Sequence, residues 1–181
     1  MDLLNGLKIG KLNRFYDDRG YFQEVNTILD DYDFVQENES MSKENVIRGL
    51  HFQFPKQQAK FVRVVKGKIL DVCVDLRPKS KTFLKYYKII LSNNDNNYIY
   101  IPTHFAHGFK SLENNTIVSY KCSELYQPKQ QYGIVWNDKT INVDWELNNN
   151  PILSNKDANL PNLNDALNIL YNTKEELCQK Y

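Results

Sequence analysis

Short stretches in which hydrophobic and polar residues alternate recur along the chain, and this period of two is typical of half-buried β-strands. Residues 60–77, KFVRVVKGKILDVCVDLR, predict two strands around a turn at Lys66-Gly67. In the second strand, Val72, Val74 and Leu76 alternate with more polar neighbours. One face of that strand is therefore predicted to be apolar and the other partly polar.

Further segments fit the same interpretation, because they are short, rich in β-branched and aromatic residues, and bounded by turn residues. Asn114-Asn115 separates two of them, and we interpret that pair as a β-hairpin. The segments are NVIRGLHFQ (45–53), FLKYYKIIL (83–91), YIYIP (98–102), HGFKSLE (107–113) and TIVSYKC (116–122).

A helical period is found near the end of the chain, where apolar residues recur at i, i+3, i+4, i+7 and i+8. Thr173 with Glu176 fits a capping box, which predicts a separate short final helix. The residues of the apolar face are Leu163, Ala166, Leu167, Leu170 and Tyr171.

Many strands followed by helices predict an all-β fold, an antiparallel jelly roll or sandwich with short C-terminal helices. We expect a single domain over residues 1–181, with a β-core from about 8 to 150 and a helical segment from about 160 to 180. A barrel of this kind has a mouth in which small ligands bind.

The net charge of +1 over 181 residues gives no electrostatic reason to expect a nucleic-acid or membrane partner. No apolar run approaches the roughly 18 residues of a membrane span, and the first residues show no signal-peptide pattern. Cys73, Cys122 and Cys178 are odd in number and far apart. We therefore expect three free thiols in a reducing cytoplasm.

Several well-known site types are missing from the sequence, namely a phosphate-binding glycine loop, GxSxG and CxxC. The three histidines are His51, His104 and His107. His104 and His107 lie three residues apart, a spacing that does not share one face of a strand. With no carboxylate at a suggestive distance, we do not predict a metal site.

The strand NVIRGLHFQ is unusual, because glycine weakens a strand interior and here stands beside an arginine and a histidine. Regular alternation places Gly49, His51 and Gln53 on one face and Arg48 on the other. Taken alone, His51 is a histidine of the core that bonds to the backbone. The polar groups on neighbouring strands point instead to a strand that lines a pocket.

Eight blocks of the sequence, from about residue 15 to residue 158, carry a resemblance to a known family. They are FYDDRGYFQE, FVQENES, NVIRGLHFQ, QAKFVRVVKGKILDVCVDLR, KTF, YIYIPTHFAHGF, SYKCSELYQP and LSNKDA. In these blocks and in their order, the sequence resembles the dTDP-4-dehydrorhamnose 3,5-epimerases.

The resemblance implies a cupin-type jelly roll that forms a homodimer and uses neither a metal nor an organic cofactor. It implies epimerisation at C3 and C5 of a nucleotide-linked 4-keto-6-deoxy sugar. The C4 ketone acidifies the adjacent C–H bonds, because the resulting carbanion is delocalised onto the carbonyl oxygen. Such an enzyme needs a base, an acid on the opposite face, and a cation or donor near the developing oxyanion.

The resemblance also implies roles for individual residues. His51 matches the general base and Asp157 the carboxylate that pairs with it. Tyr120 matches the tyrosine that returns a proton, and Lys60 a lysine near the C4 oxygen. Predicted ligand contacts are Arg19 and Arg48 at the diphosphate, Phe22, Glu24 and Tyr126 around the base, and Gln36, Asn38, Gln53 and His107 elsewhere on the substrate.

Simpler interpretations of these residues remain open from the sequence alone. Ser154-x-x-Asp157 fits a variant helix cap. Tyr120 fits a half-buried strand tyrosine, Lys60 a solvated strand end, and Arg19 an ordinary turn residue. Phe22, Glu24 and Tyr126 fit packing or surface positions.

The resemblance places Arg48 and His51 in one pocket, whereas regular alternation separates them. A bulge or twist at Gly49 would reconcile the two, since glycine within a strand often marks such an irregularity. We therefore expect the pairing of this strand to be irregular at Gly49.

The chain departs from the family pattern at His104, where glycine is usual, at Glu39, where histidine is common, and at Met41, where lysine is frequent. We expect these positions in or near the pocket. A GDP-linked 4-keto heptose or hexose, epimerised at C3 or at C3 and C5, is therefore an alternative substrate. Three further hypotheses for the function are a keto-isomerase or dehydratase, a non-catalytic sugar-nucleotide-binding jelly roll, and a metal-dependent barrel enzyme.

Overall fold

Two five-stranded antiparallel sheets form the body of the protein. The computed structural model describes residues 3–25 and 33–178, with side chains up to residue 170. The first sheet has the order β1-β9-β6-β11-β4 and the second the order β12-β5-β10-β7-β8. The strands are β1 (Lys8–Lys11), β2 (Arg14–Asp17), β3 (Gly20–Gln23), β4 (Gln36–Ser42), β5 (Ile47–Gln53), β6 (Lys60–Lys66), β7 (Lys68–Asp75), β8 (Tyr86–Ser92), β9 (Asn97–Ile101), β10 (Phe105–Ser111), β11 (Thr116–Cys122) and β12 (Gln131–Gly133).

The remaining elements are a separate two-stranded sheet and short helices. β2 and β3 form that sheet, which we call the aromatic ribbon. A 3-10 helix spans Pro128–Gln130, and the α-helices are α1 (Asn155–Ala158) and α2 (Leu163–Cys178). The predicted all-β class with C-terminal helices is confirmed.

Apolar side chains from the two sheets meet in a first core between them. Val62 of β6 and Val118 of β11 pack there against Ile69 of β7 and Phe109 of β10. Residues two apart on a strand share a face, so Lys60 and Tyr120 point to the same side as Val62 and Val118. This arrangement leaves space for a site between the sheets.

A second core covers the outer face of the second sheet. Val72 and Val74 of β7 pack there with Trp145 and with Leu163 and Ala166 of α2. β7 is therefore buried on both faces, and the partly polar face predicted from its alternation is turned into the protein. The outer core fixes the C-terminal segment, which carries α1 to the edge of the site.

The predicted hairpin at Asn114-Asn115 is wrong. β10 belongs to the second sheet and β11 to the first, so the chain crosses between the sheets at that turn. The turn at Lys66-Gly67 likewise passes from the first sheet to the second. In each case the two flanking strands bury their apolar faces on opposite sides of the same core. A hairpin would instead pair the two strands side by side in one sheet.

The apolar face predicted for the C-terminal helix is confirmed, since Leu163 and Ala166 are buried. The separate final helix is wrong, because α2 continues without a break to Cys178. No glycine or proline interrupts this segment, so Thr173 is tolerated within the helix. The side chains of Tyr171 and Cys178 lie outside the described ones, whereas Cys73 and Cys122 are free thiols.

The end of β7 is fixed by a buried carboxylate. Asp75 accepts hydrogen bonds from Arg77 Nη2 at 2.7 Å and from the hydroxyls of Ser80 and Thr82 at 2.6 Å each. Burial alone would raise the pKa of Asp75, but the hydrogen bonds from Arg77, Ser80 and Thr82 outweigh it and lower that pKa to about 2. The ionised carboxylate thus holds the loop that follows β7.

Asp75→Asn should lower the free energy of unfolding by about 2 kcal/mol at pH 7, because the amide replaces a charge with several donors around it. A carboxyl group with a lowered pKa stabilises the folded state above its unfolded pKa and loses that contribution as the pH falls. The difference between wild type and variant should therefore shrink between about pH 5 and pH 2.

Urea denaturation at several pH values measures this difference. Asp18→Asn, at an exposed turn position, is the matched control and should follow wild type throughout. A gap between Asp75→Asn and wild type that stays constant down to pH 2 would show that the charge of Asp75 does not stabilise the loop.

Candidate active site

A cavity of about 380 Å³ opens between the two sheets, a size typical of small-ligand sites. Residues of both sheets, of the loop before the 3-10 helix and of α1 line it. Nine of the residues predicted from the sequence lie on its wall: Gln36, Asn38, Arg48, His51, Lys60, His107, Tyr120, Tyr126 and Asp157.

A bulge in β5 turns Arg48 and His51 to the same side. On β10, His107 faces His51 and Phe109 faces Arg48, so β5 has one residue more than its partner. The predicted irregularity at Gly49 is confirmed. Gly49 has a φ of +118° and lies so close to β10 that an added Cβ would be 2.6 Å from Gly108 Cα.

His51 forms a close pair with Asp157. The distance from His51 Nε2 to Asp157 Oδ1 is 2.5 Å. Burial alone would raise the pKa of Asp157, but the hydrogen bond and charge of His51, with further bonds from Ser154 and the Gly49 backbone, lower it. The ionised carboxylate requires a hydrogen on Nε2, which leaves the lone pair of His51 on Nδ1.

α1 explains how Asp157 reaches this position. Ser154 caps the helix, and its hydroxyl accepts a hydrogen bond from the Asp157 backbone N–H at 3.0 Å. The helix-cap interpretation of Ser154-x-x-Asp157 therefore holds for the backbone. The cap uses the backbone N–H of Asp157, so its carboxylate remains free to bond to His51.

The first sheet contributes a lysine and a tyrosine to the opposite wall. Burial lowers the pKa of Lys60, which makes its ammonium readier to donate a proton than a solvated lysine. Burial, aided by Cys122, raises the pKa of Tyr120, so the phenol keeps its proton at neutral pH. Both residues are half-buried, which rules out the solvated strand end for Lys60.

Arg48 is fixed at the pocket by the neighbouring β4. Its Nε donates to Ser42 Oγ and its Nη2 to the Met41 carbonyl, each at 3.0 Å. Neither partner is anionic, so the positive charge of Arg48 remains available to a negatively charged ligand.

β4 presents polar side chains to the pocket by strict alternation. Gln36, Asn38 and Ser40 line the cavity, whereas Glu39 and Met41 are exposed on the other face. Ser40 was not among the predicted residues, although the spacing of two from Asn38 would have identified it. Its buried hydroxyl has no hydrogen-bond partner within the described part of the chain.

The side chains at the departures from the family pattern do not line this cavity, although Glu39 and Met41 stand beside residues that do. Glu39 and Met41 face away from it, and His104 lines a different cleft beside Phe52 and Phe105. His104 has a φ of +67°, a backbone conformation in which glycine is more usual.

Gln53 is predicted to contact the ligand, but the structure does not bring it to the cavity. It is buried, and its side chain holds the loop that precedes the 3-10 helix through hydrogen bonds. Its amide donates to the carbonyls of Lys56 at 2.6 Å and Leu125 at 3.1 Å, and its oxygen accepts from the Gln127 N–H at 2.8 Å. That loop carries Tyr126, so Gln53 shapes the pocket indirectly.

Three more of the predicted contacts, Arg19, Phe22 and Glu24, lie on or beside the aromatic ribbon and not in this chain's cavity. The Arg19 side chain is 90% exposed and pairs with Asp17 at 2.6 Å. Their positions do not match a role at the site of the same chain.

Among the residues that the structure describes, histidine, cysteine, aspartate and glutamate side chains form no group of three or more that could hold a metal ion. Within residues 3–25 and 33–178, no helix combines the length and hydropathy that a membrane span requires.

The fold and the site define a cupin-type jelly roll with a His–Asp pair, a lysine and a tyrosine around one cavity. Residues 2–165 match the family model described as dTDP-4-dehydrorhamnose 3,5-epimerase. The chain belongs to this family, and it is a carbohydrate epimerase, an enzyme of the isomerase class.

Individual relatives agree with this assignment. The dTDP-4-dehydrorhamnose 3,5-epimerase of Methanothermobacter thermautotrophicus is 44% identical over 164 residues, which cover 86% of this chain and 89% of the relative. The crystal structure of the Bacillus anthracis enzyme with TDP and PPi bound has a TM-score of 0.83 and 42% identity, over 87% of this chain and 94% of that one. The Legionella pneumophila enzyme in complex with dTDP-4-keto-L-rhamnose has a TM-score of 0.84 and 37% identity, over 87% and 88%.

Gly49→Ala should destabilise the protein by more than about 3 kcal/mol, because its Cβ would meet the backbone of β10 in addition to an unfavourable φ. Gly20→Ala is the matched control. Gly20 has a φ of +130° but nothing within 4 Å of an added Cβ. It should cost about 1 kcal/mol.

Urea denaturation of both variants separates the two effects. Equal losses of unfolding free energy would show that the contact with β10 does not constrain Gly49.

Proposed function

We propose that this epimerase inverts C3 and C5 of a nucleotide-diphospho-4-keto-6-deoxy sugar, with dTDP-4-keto-6-deoxyglucose as its substrate. The reaction takes place in the cytoplasm, requires no cofactor, and supplies a precursor of surface polysaccharide. The substrate class is that of the relatives, since the Legionella pneumophila enzyme binds dTDP-4-keto-L-rhamnose.

One observation carries the mechanism: the base and the acid come from different sheets. His51 projects from β5 of the second sheet and Tyr120 from β11 of the first, and both line the same cavity. Inversion of a carbon requires that a proton leave from one face and return to the other. Two walls that face each other across a sugar ring satisfy this requirement.

Proton removal is assigned to His51. With Nε2–H donated to Asp157, Nδ1 accepts the proton from the carbon next to the C4 ketone. Asp157 then stabilises the imidazolium that forms. The negative charge that develops on the C4 oxygen is met by the ammonium of Lys60, which is effective because the surroundings are desolvated.

Proton return is assigned to Tyr120, whose raised pKa keeps the phenol protonated until the carbanion is ready to accept. The same pair acts twice, at C3 and at C5, because both carbons adjoin the same ketone. Arg48 is assigned to the diphosphate, and the unpartnered hydroxyl of Ser40 offers a further polar contact.

A GDP-linked sugar is less well supported. The residues that raised this possibility, Glu39, Met41 and His104, lie outside the cavity, so they give no reason for an altered nucleotide pocket. The relatives with bound ligands contain TDP or a dTDP-sugar. We therefore retain the dTDP-linked substrate.

NMR of the protein with 4-keto sugars in D₂O tests the proposal, with dTDP-linked and GDP-linked forms in parallel. Wild type should introduce deuterium at C3 and C5 of the dTDP-sugar without a change in molecular composition beyond that exchange. His51→Ala should slow exchange at least ~10²–10⁴-fold, since that is what a positioned general base supplies. Tyr120→Phe should reduce the epimerised product more than it reduces the removal of protons.

The opposing outcomes would identify a different function. Tight binding without exchange would indicate a binding protein, and loss of water or movement of the carbonyl would indicate a dehydratase or keto-isomerase. Exchange by His51→Ala within a few-fold of wild type would contradict its role, and so would equal losses of exchange and product for the role of Tyr120.

We also propose that the enzyme is a homodimer in which the aromatic ribbon of one copy reaches the cavity of the other. The ribbon is a separate two-stranded sheet, a structure that is marginal in water by itself. Its aromatic residues are exposed, and Tyr16 is 72% accessible. An exposed apolar patch of this kind marks an interface. This arrangement would place Arg19, Phe22 and Glu24 of one copy at the cavity of the other, where they could make the ligand contacts that the resemblance implies.

Complementation between inactive variants tests the exchange of ribbons. Arg19→Ala and His51→Ala chains should each show little activity. When refolded together, half of the dimers combine the two chains, and one of the two sites in each is intact, which gives about one quarter of wild-type activity. Light scattering should give the mass of a dimer. A monomer, or a mixture without recovery, would contradict the proposal.

A further inference from the structure

A second histidine–carboxylate pair lies behind the wall of the cavity. Asp71 of β7 is fully buried, and its Oδ2 lies 2.8 Å from His107 Nε2. Its Oδ1 accepts a weak hydrogen bond from the Cys73 thiol at 3.6 Å. Asp71 does not line the cavity itself, so it acts on a ligand through its neighbours.

The pair stands beside the first one in the sheet. His107 of β10 is directly opposite His51 of β5, and facing residues on adjacent strands have neighbouring side chains. Each histidine has its carboxylate on a different element, Asp157 on α1 and Asp71 on β7. The two imidazoles thus form one wall of the cavity, and each has a ring nitrogen held by an acidic group.

Lys60 lines the same cavity as His107, on the sheet that faces this wall, and the negative charge of Asp71 raises its pKa. Burial lowers the pKa of Lys60, and Cys122, Cys73 and Asp71 oppose that shift when they are negatively charged. Burial also raises the pKa values of both thiols, so they are neutral near pH 7. The carboxylate is then the member of this group that supports the ammonium.

We propose that Asp71 is a positioning residue that fixes His107 with its hydrogen on Nε2 and keeps Lys60 protonated. His107 then presents Nδ1 to the cavity as an acceptor for a sugar hydroxyl. Lys60 remains a cation beside the C4 oxygen. This inference rests on the proposed function for its effect on turnover, but the states of His107 and Lys60 can be measured without it.

The remaining ionisable groups around Lys60 do not replace Asp71. Arg48 is a cation, Tyr120 is a neutral phenol, and His51 with Asp157 forms a pair of its own. The groups that face Lys60 across the cavity or from adjoining strands are Arg48, His51, Asp71, Cys73, His107, Tyr120, Cys122, Tyr126 and Asp157.

Asp71→Asn tests the proposal because it keeps the shape and removes the charge. The pH at which the turnover number falls on the alkaline side should move down by about one unit, the effect of an opposite charge lost nearby. Loss of the negative charge lowers the pKa of Lys60 further, so the ammonium is lost at lower pH. Asp18→Asn, the same substitution at an exposed turn position, is the matched control and should leave this pH unchanged.

NMR titration of the protein without substrate supplies the second measurement. In wild type, the ¹⁵N shifts of His107 should show hydrogen on Nε2, and the side-chain signal of Lys60 should titrate at higher pH than in Asp71→Asn. The wild-type tautomer can be read even if Asp71→Asn does not fold.

Hydrogen on Nδ1 of His107 in wild type would overturn the proposal. Equal titration of Lys60 in wild type and a folded Asp71→Asn protein would do so as well. If wild type fails to exchange protons with any 4-keto sugar, the proposed function fails, whereas these two NMR measurements still decide the role of Asp71.

Discussion

The close approach of Gly49 to β10 is the constraint on which the site depends. Strand geometry alone would place Arg48 and His51 on opposite faces of β5, one in the cavity and one in the outer core. The extra residue at Gly49 shifts the alternation of side chains along β5, so that Arg48 and His51 both face the gap between the sheets. The Gly49 backbone N–H also bonds to the Asp157 carboxylate, so the same residue orients His51 and helps to hold its partner.

Burial of ionisable groups between two sheets is costly unless each group has a partner. The protein meets this requirement with pairs that span separate elements: His51 with Asp157, and His107 with Asp71. Lys60 is the exception, because no salt bridge neutralises it among the described residues. If Lys60 stands beside the C4 oxygen as proposed, its incompletely compensated ammonium is poorly stabilised in the free protein. It then gains most when the oxyanion forms, which favours the transition state over the empty site.

Local patterns in the sequence were sufficient for much of the fold, whereas the resemblance to a known family supplied most of the residues of the cavity wall. Alternation located the strands that carry Lys60, His107 and Tyr120, and the turn at Asn114-Asn115 was located correctly. The residues of a turn predict where a strand ends but not which sheet the next strand joins, so the hairpin predicted there was wrong. Asp71 was overlooked for a related reason. A polar position in an alternating strand indicates solvent unless both faces of that strand are known to be buried.

Under the proposed dimer, the aromatic ribbon makes a single chain an incomplete description of this site. A sheet edge or ribbon with exposed aromatic residues is unfavourable in water unless a partner covers it. If the ribbon of a second copy covers the mouth of the cavity, the same contact buries the aromatic residues and excludes water from the reacting carbons. Exclusion of water would strengthen the interaction of Lys60 with the developing oxyanion. Under the proposed arrangement, association of the chains and stabilisation of the carbanion are two consequences of one interface.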